Sequence, residues 1–401
     1  MQLSFTTAEI ALREDLRATL RKIIPEHIRR NVLMGRQLSR EEIVFSQSTL
    51  NSHGLAVPHW PTEYGGRGFN AVEVYIYREE LSLAGVPEPQ AQTVDLIAPL
   101  LMAFGTEEQK SFFLPRLANL DFWVCQGFSE PNAGSDLASL RTSAVHDGDD
   151  YVINGQKMWT TAAHHANWMF CLVRTDSAAA RPQRGLTLLM LDMTTPGITV
   201  RPVVTIDRRH ETNEVFFDNV RVPIKNRIGE ENKGWNYSKY LLSRERLKMA
   251  RVGLAKQQVA RTKELSKHIC AGDIPLAKDA RFRERLAALE VELKALEMTA
   301  MRVLATEMAS PDPNPDPASS LLKMKGCELL QAATELMMQL AGPAAVPYYD
   351  DDALKRDEPL PQDAEWAASI APVYFFSRVF SISGGSNEIQ RNIIAKTMLG
   401  M

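Results

Sequence analysis

The hydrophobic period of this 401-residue chain changes twice, from helical to strand-like and back. That order limits the architectures open to it. Up to about residue 120 the pattern reads helical. Thr6 with Glu9 and Ser39 with Glu42 fit the capping box, in which each side chain bonds the other's free backbone N–H. Thr106 with Gln109 repeats the signal. Between helical stretches, HWPTEYGGRG (59–68) reads as a loop because proline and glycine break regular structure.

From about 121 to 225 the period becomes that of strands. Asp147-Gly148 and Asn154-Gly155 read as two-residue hairpin turns between apolar runs. GLTLLMLDM (185–193), GITVRPVVTI (197–206) and NEVFFDNVRVP (213–223) read as further strands. From about 231 the pattern is helical again over 235–268, 279–309 and 318–341. SPDPNPDPASS (310–320) excludes helix through its prolines and predicts a loop joining two antiparallel helices. We therefore expect an α+β chain with an N-terminal helical domain (1–120), a middle antiparallel β barrel or sandwich (121–230) and a C-terminal helical domain (231–401).

Composition narrows the partners. A formal net charge of −3 gives no reason to expect nucleic acid or an anionic membrane surface. Cys125, Cys171, Cys270 and Cys327 lie far apart, without CxxC or metal spacing, which fits reduced thiols in a cytoplasm. No apolar run approaches the ~18 residues of a membrane span. The opening MQLSFTTAEIALRED carries acids early and no apolar core, so neither a secretory signal nor a transit peptide is expected. These features describe a cofactor-sized protein and leave its reaction open.

CQGFSEPNAGSDLASL (125–140) resembles the flavin-binding stretch of acyl-CoA dehydrogenases, and QKMWTTAA (156–163) their second flavin strand. GGSNEIQRNIIAK (384–396) resembles their C-terminal signature; GTEEQKSFFLPRL (105–117) and GEENKGW (229–235) match as well. The matches run in family order over nearly the whole chain, with the flavour of the large-subunit type linked to pimeloyl-CoA and steroid side-chain thioesters. The resemblance implies the family fold, with a four-helix-bundle-like C-terminal domain, and FAD as cofactor. It implies α,β-dehydrogenation of an acyl-CoA to the trans-2-enoyl-CoA, re-oxidation by an electron-transferring flavoprotein, and a tetramer.

By the same resemblance Gln126, Phe128, Ser129, Gly134 and Ser135 line the flavin, and Ser135 also touches the CoA part of the substrate. Small residues there let backbone N–H groups approach the ring and pyrophosphate. Trp159 is placed against the isoalloxazine, with Thr160 or Thr161 near its N5; a core tryptophan beside β-forming threonines is the structural alternative. Ser386, a candidate N-cap, and Glu388 contact the flavin, while Gly385 lets backbone meet substrate closely. The backbone N–H of Gly384 is implied as a donor to the thioester oxygen.

Gly384 also stands where most members carry their catalytic Glu. A minority place it before an Arg early in the C-terminal domain, which here gives Glu245 and Arg246 in LLSRERL. Leu241, Leu242, Met249 and Val252 fall on one helical face with Glu245 in its middle. An acid on an apolar stripe must be paired, protonated or functional. Arg246 points about 100° away, toward substrate by resemblance. The competing reading is a solvated ion-pair helix.

Two departures concern the adenine side of FAD. The usual RxxFG element is replaced by SKHICAGD (266–273), and QxxGGxG by QLAGPAA (339–345), with Pro343 for a glycine. A homologous subunit carrying both elements could complete an α2β2 heterotetramer; alternatively Lys263 and Lys267 hold the pyrophosphate in a homotetramer. Two other roles stay open, a non-catalytic subunit that completes FAD sites and a flavin monooxygenase on the same scaffold.

Overall fold

A computed structural model describes residues 5–244, 250–309, 318–349 and 364–401. The helices are α1 (Thr7–Ile23), α2 (Glu26–Met34), α3 (Arg40–Ser52), α4 (Ala71–Ala84), α5 (Ala98–Phe104), α6 (Glu107–Asn119) and α7 (Gly234–Arg244). After them come α8 (Val252–Leu265), α9 (Ala280–Ala309), α10 (Ala318–Ala341), α11 (Ala364–Ala367), α12 (Ile370–Phe376) and α13 (Asn387–Met398). Between α6 and α7 run β1 (Val124–Gly127), β2 (Ser143–Asp147), β3 (Asp150–Thr161), β4 (Trp168–Arg174), β5 (Leu186–Asp192), β6 (Ile198–Val203) and β7 (Thr212–Pro223). The order helix, strand, helix is the one the period changes predict. No described helix is long and apolar enough to cross a membrane.

The reciprocal bonds of the capping box form at Thr6 with Glu9, Ser39 with Glu42 and Thr106 with Gln109. Asn70 with Glu73 forms one at the start of α4 that the sequence reading did not single out.

Chain contacts divide into two compact units. One comprises residues 1–46, 69–88 and 246–401. Its apolar centre joins Val252, Ala255 and Val259 of α8 to Leu286, Leu293 and Leu296 of α9 and Leu322, Leu329 and Leu336 of α10. Helix 235–268 is not continuous, contrary to the sequence reading. Arg251 takes a left-handed φ of 49°, which interrupts the helical hydrogen-bond ladder before α8. Gly326 of α10 lets this break pack flush, because a Cβ there would lie 2.3 Å from the Ala250 carbonyl oxygen. Of the loop expected over 310–320, residues 310–317 lie outside the described residues, and Ala318, Ser319 and Ser320 already open α10 instead.

The other unit comprises residues 47–68 and 89–245. Its seven strands run in the order β1-β4-β2-β3-β7-β6, with β5 on β4. The sheet is mixed rather than wholly antiparallel: β1 and β2 run parallel to β4, and the other pairs are antiparallel. Alternation alone cannot distinguish the two directions. β5 is apolar along nearly its whole length because both its faces are buried. Cys171, Leu189, Leu191, Val215, Phe217 and Val220 centre this core.

Of the two expected hairpin turns one forms. Its loop is Gly148-Asp149, closed by the pair Asp147–Asp150. Asn154-Gly155 instead lies inside the 12-residue β3, where the register shifts. Gly155 carries φ 148° beside Thr142, whose Cα would be 2.7 Å from an added Cβ. The glycine therefore makes a bulge with a close backbone approach, not a turn.

Candidate flavin site

β1 delivers Gln126, half-buried, and the loop beyond it begins with Phe128, whose buried ring meets Phe170 edge-on. Ser129 offers its carbonyl oxygen to the Met158 N–H of β3 at 2.9 Å. Glu130 and Ala133 then exchange backbone bonds at 3.0 and 3.1 Å, folding Pro131-Asn132 into a tight turn. Gly134 and Ser135 follow, exposed, and nothing lies within 4 Å of where a Gly134 Cβ would stand.

An internal ion pair fixes this loop. Lys157 of β3 is fully buried; its Nζ donates to Glu130 Oε1 at 2.8 Å and to the Phe128 carbonyl oxygen at 3.1 Å. Glu130 also accepts the Arg141 and Thr142 N–H groups at 2.7 and 2.9 Å. Burial opposes the Glu130 charge, but Lys157 and these donors outweigh it and hold the carboxyl below its usual range. Lys157 was not recognisable in the sequence, since nothing in QKMW shows which way its side chain points.

Strict strand alternation would put Lys157 and Trp159 on one face. A bulge between Lys157 and Thr160 breaks the alternation. Trp159 sits in it with a left-handed φ of 62° and stands 57% exposed, while Lys157 points into the core. Left-handed backbone costs a bulky residue about 1–2 kcal/mol, and such strain concentrates at functional positions. Next to it the Thr160 hydroxyl is buried and has no hydrogen-bond partner among the described residues. Thr161 is half-buried.

Asn213, fully buried on β7, holds this strand end from behind. Its Nδ2 donates to the Thr160 carbonyl oxygen at 3.0 Å and meets His164 Nδ1 at 3.1 Å; its Oδ1 meets His210 Nε2 at 2.7 Å. These contacts make His164 Nδ1 an acceptor and His210 Nε2 a donor. The two imidazoles stack at 3.9 Å. Burial, then the neighbouring His165 and His210, lowers the His164 pKa to about 4. The HH doublet of TTAAHHAN is a sequence signal that could have pointed to this cluster, and the sequence reading did not use it.

Glu211 accepts the Ala162 N–H on its backbone oxygen at 2.8 Å. Its carboxyl is raised to about 7 by burial and then by Asp207, with Arg209 opposing. A raised carboxyl stabilises the fold below its unfolded pKa of about 4.5, and the contribution is lost as pH rises through 7. Glu211→Gln is therefore expected to melt higher than the parent at pH 8 and to match it near pH 4.5. Equal melting temperatures at pH 8 would refute this.

In the other unit, Gly384 and Gly385 carry φ 66° and 81° just before α13. Ser386 is the N-cap, accepting the Ile389 N–H at 3.4 Å. Glu388 is exposed, its carboxyl lowered by its own backbone N–H and then by Ser386. Glu245 and Arg246 lie outside the described residues. Thus Gln126, Phe128, Ser129, Gly134, Ser135, Trp159, Thr160 and Thr161 share adjoining segments of one unit. Gly384, Gly385, Ser386 and Glu388 share one helix start in the other.

An exposed indole on a strained bulge, an unpartnered buried hydroxyl and open space over a glycine suit a flat, hydrogen-bonding cofactor ring. Three domains of acyl-CoA dehydrogenases match the chain: N-terminal over residues 6–121, middle over 125–220 and C-terminal over 232–399. The chain belongs to the acyl-CoA dehydrogenase family, whose members are FAD-dependent oxidoreductases. It is 34% identical over 413 residues to acyl-CoA dehydrogenase FadE26 of Mycobacterium tuberculosis, covering 100% of this chain and 99% of that one. A chain of the ChsE4-ChsE5 complex from the same organism superposes with a TM-score of 0.85 at 33% identity, covering 100% and 99%. A chain of the Tcur3481-Tcur3483 steroid ACAD gives 0.86 at 29%, with the same coverage.

Proposed function

We propose that the chain oxidises the α,β bond of an acyl-CoA thioester to the trans-2-enoyl-CoA, with Glu245 as the base. The exposed, left-handed Trp159 beside the unpartnered Thr160 hydroxyl is the observation that carries this reading. Trp159 forms the wall for the ring, and Thr160 or Thr161 donates to it. Gln126, Phe128, Ser129, Gly134 and Ser135 line the cofactor along the loop that Glu130 and Lys157 fix. By the family resemblance Ser386 and Glu388, at the start of α13, also contact a flavin, in some members that of a neighbouring subunit.

Glu245 removes the α-proton. Bound FAD supplies the acceptor for the β-hydrogen, which leaves as hydride. The thioester oxygen gains charge as the proton departs, and the Gly384 N–H donates to it. A donor fixed in advance contributes roughly 3–4 kcal/mol to such a step. Arg246, Ser135 and Gly385 contact the substrate. A water-poor site raises the Glu245 pKa toward neutrality, which suits a general base.

The substrate class we favour is a steroid-derived or otherwise bulky acyl-CoA, because a steroid ACAD is among the related structures and Gly384 leaves room near Cα. The working form we favour is an α2β2 heterotetramer with a homologous subunit, since two related structures are of paired chains. The segments that the resemblance puts on the adenine side of FAD support this reading. Lys263 and Lys267 already bond Glu290 and Glu264, Cys270-Ala271 pairs with Ile274-Pro275 in a short β ribbon, and Pro343 is the second residue of the 3₁₀ turn Gly342–Ala345 after α10. The electron acceptor is an electron-transferring flavoprotein.

Anaerobic titration with a panel of acyl-CoA thioesters tests the reaction. Bleaching of the flavin by a steroid-derived or branched thioester is expected; no bleaching by any would leave a non-catalytic subunit or a monooxygenase. Expressed alone, the chain is expected to retain FAD poorly until a homologue is co-expressed. A homotetramer with full FAD and full activity would overturn the heteromer.

A further inference from the structure

Lys323 of α10 is fully buried, yet its Nζ has one hydrogen bond among the described residues, to the Asn387 Oδ1 at 3.1 Å. No described carboxylate lies within ion-pair distance of it. Among the described residues this ammonium is out of water against a neutral amide, which is costly, so its retention calls for a use. Burial lowers its pKa; Cys327 and Glu388 act to raise it and Arg251 to lower it.

Asn387 is the first residue of α13 and is itself buried. One turn further, Gln390 Nε2 donates to the Gly384 and Gly385 carbonyl oxygens at 3.2 and 3.4 Å. The carbonyls of the glycine pair are thereby tied down. Among the described residues nothing accepts from the N–H groups of Gly384, Gly385, Ser386 or Asn387. A fan of open N–H groups at a helix start carries positive potential. The buried ammonium adds a full charge to the same place, where low dielectric strengthens its field.

We infer that Lys323 is a positioning residue that also sets the charge of this helix start. It holds Asn387 and makes the Gly384 to Ser386 donors favour a thioester oxygen carrying enolate charge. The inference rests on the dehydrogenase reading above, in which the Gly384 N–H meets that oxygen. It assigns to Lys323 a share of the acidity of the substrate α-carbon, with no contact to substrate.

The FAD-loaded protein, with any partner subunit, is titrated with acetoacetyl-CoA, whose bound enolate gives a long-wavelength charge-transfer band with oxidised flavin. The apparent pKa of the bound ligand is read from that band against pH. Lys323→Met is expected to raise it by about one unit or more, a tenfold weaker preference for the enolate. Asn387→Asp keeps the hydrogen bond but places a carboxylate against the ammonium, and is expected to shift the pKa in the same direction. An enolate pKa at the parent value in FAD-loaded Lys323→Met overturns the inference. If Lys323→Met loses FAD, Lys323→Gln, which keeps a neutral donor without the charge, decides by the same reading. A parent protein bleached by an acyl-CoA but giving no band with acetoacetyl-CoA also overturns it. Failure of every acyl-CoA to bleach the parent defeats instead the dehydrogenase reading beneath it.

Discussion

Glu245→Gln is expected to keep fold and FAD while lowering turnover by about 10²–10⁴-fold, the range that a positioned general base contributes. The amide is close in size to the carboxylate but cannot take the α-proton. Gly384, which by the family resemblance stands where most members carry their base, offers no side chain to substitute for it. The check is the rate of anaerobic flavin reduction by the best acyl-CoA in purified, FAD-loaded variant and parent. KM should move much less than kcat, because the lost interaction is one of the transition state. Near-parent turnover would return Glu245 to a solvated ion-pair helix. The variant Gly384→Glu, made in the Glu245→Gln background, then asks whether the vacated position can still support the reaction.

The parts of the fold visible in the sequence were those set by local chemistry. Thr6, Ser39 and Thr106 announce helix starts because a hydroxyl three residues before a Glu or Gln has one favourable arrangement. What failed was whatever depended on distant partners. Asn154-Gly155 has the composition of a hairpin turn, but Thr142 and β7 hold it as a bulge within a long strand. The parallel neighbours of β4 left no trace in alternation, and neither did the left-handed Arg251 that ends the apparent helix 235–268.

The candidate site divides the same way. SEPNAGSD and MWTT were legible as segments because their order and wording resemble a family. Their mutual support was not: Lys157 reads as an ordinary strand lysine, and only the bulge after it turns its ammonium inward and Trp159 outward. Asn213 gave no signal at all, since a single amide in a strand does not reveal that it bonds Thr160, His164 and His210 together.

Lys157→Met is expected to destabilise the protein by about 3–5 kcal/mol, the range for breaking a buried ion pair from one side. Methionine fills much of the space, but Glu130 keeps its burial and loses its cation, and the Phe128 carbonyl loses its donor. The loop carrying Ser129 to Ser135 is then tied to β3 by the Met158 to Ser129 bond alone among these contacts, so FAD content should fall with stability. The pH dependence gives the sign. In the parent the Glu130 carboxyl is depressed, so its contribution is present above its unfolded pKa and lost as pH falls through the folded one. In the variant burial remains without Lys157 to oppose it, the carboxyl accepts a proton more readily, and the deficit should shrink between pH 7 and pH 4. Pairing it with Glu130→Gln completes the test. With both charges removed, the double variant should be more stable than the sum of the two single losses allows, a coupling of 0.5–3 kcal/mol by the usual range for contacting residues. Urea unfolding at both pH values measures all four proteins. A Lys157→Met loss below about 1 kcal/mol, equal at both pH values, would mean that the pair behaves as an exposed surface bridge and that other contacts hold the flavin loop in place.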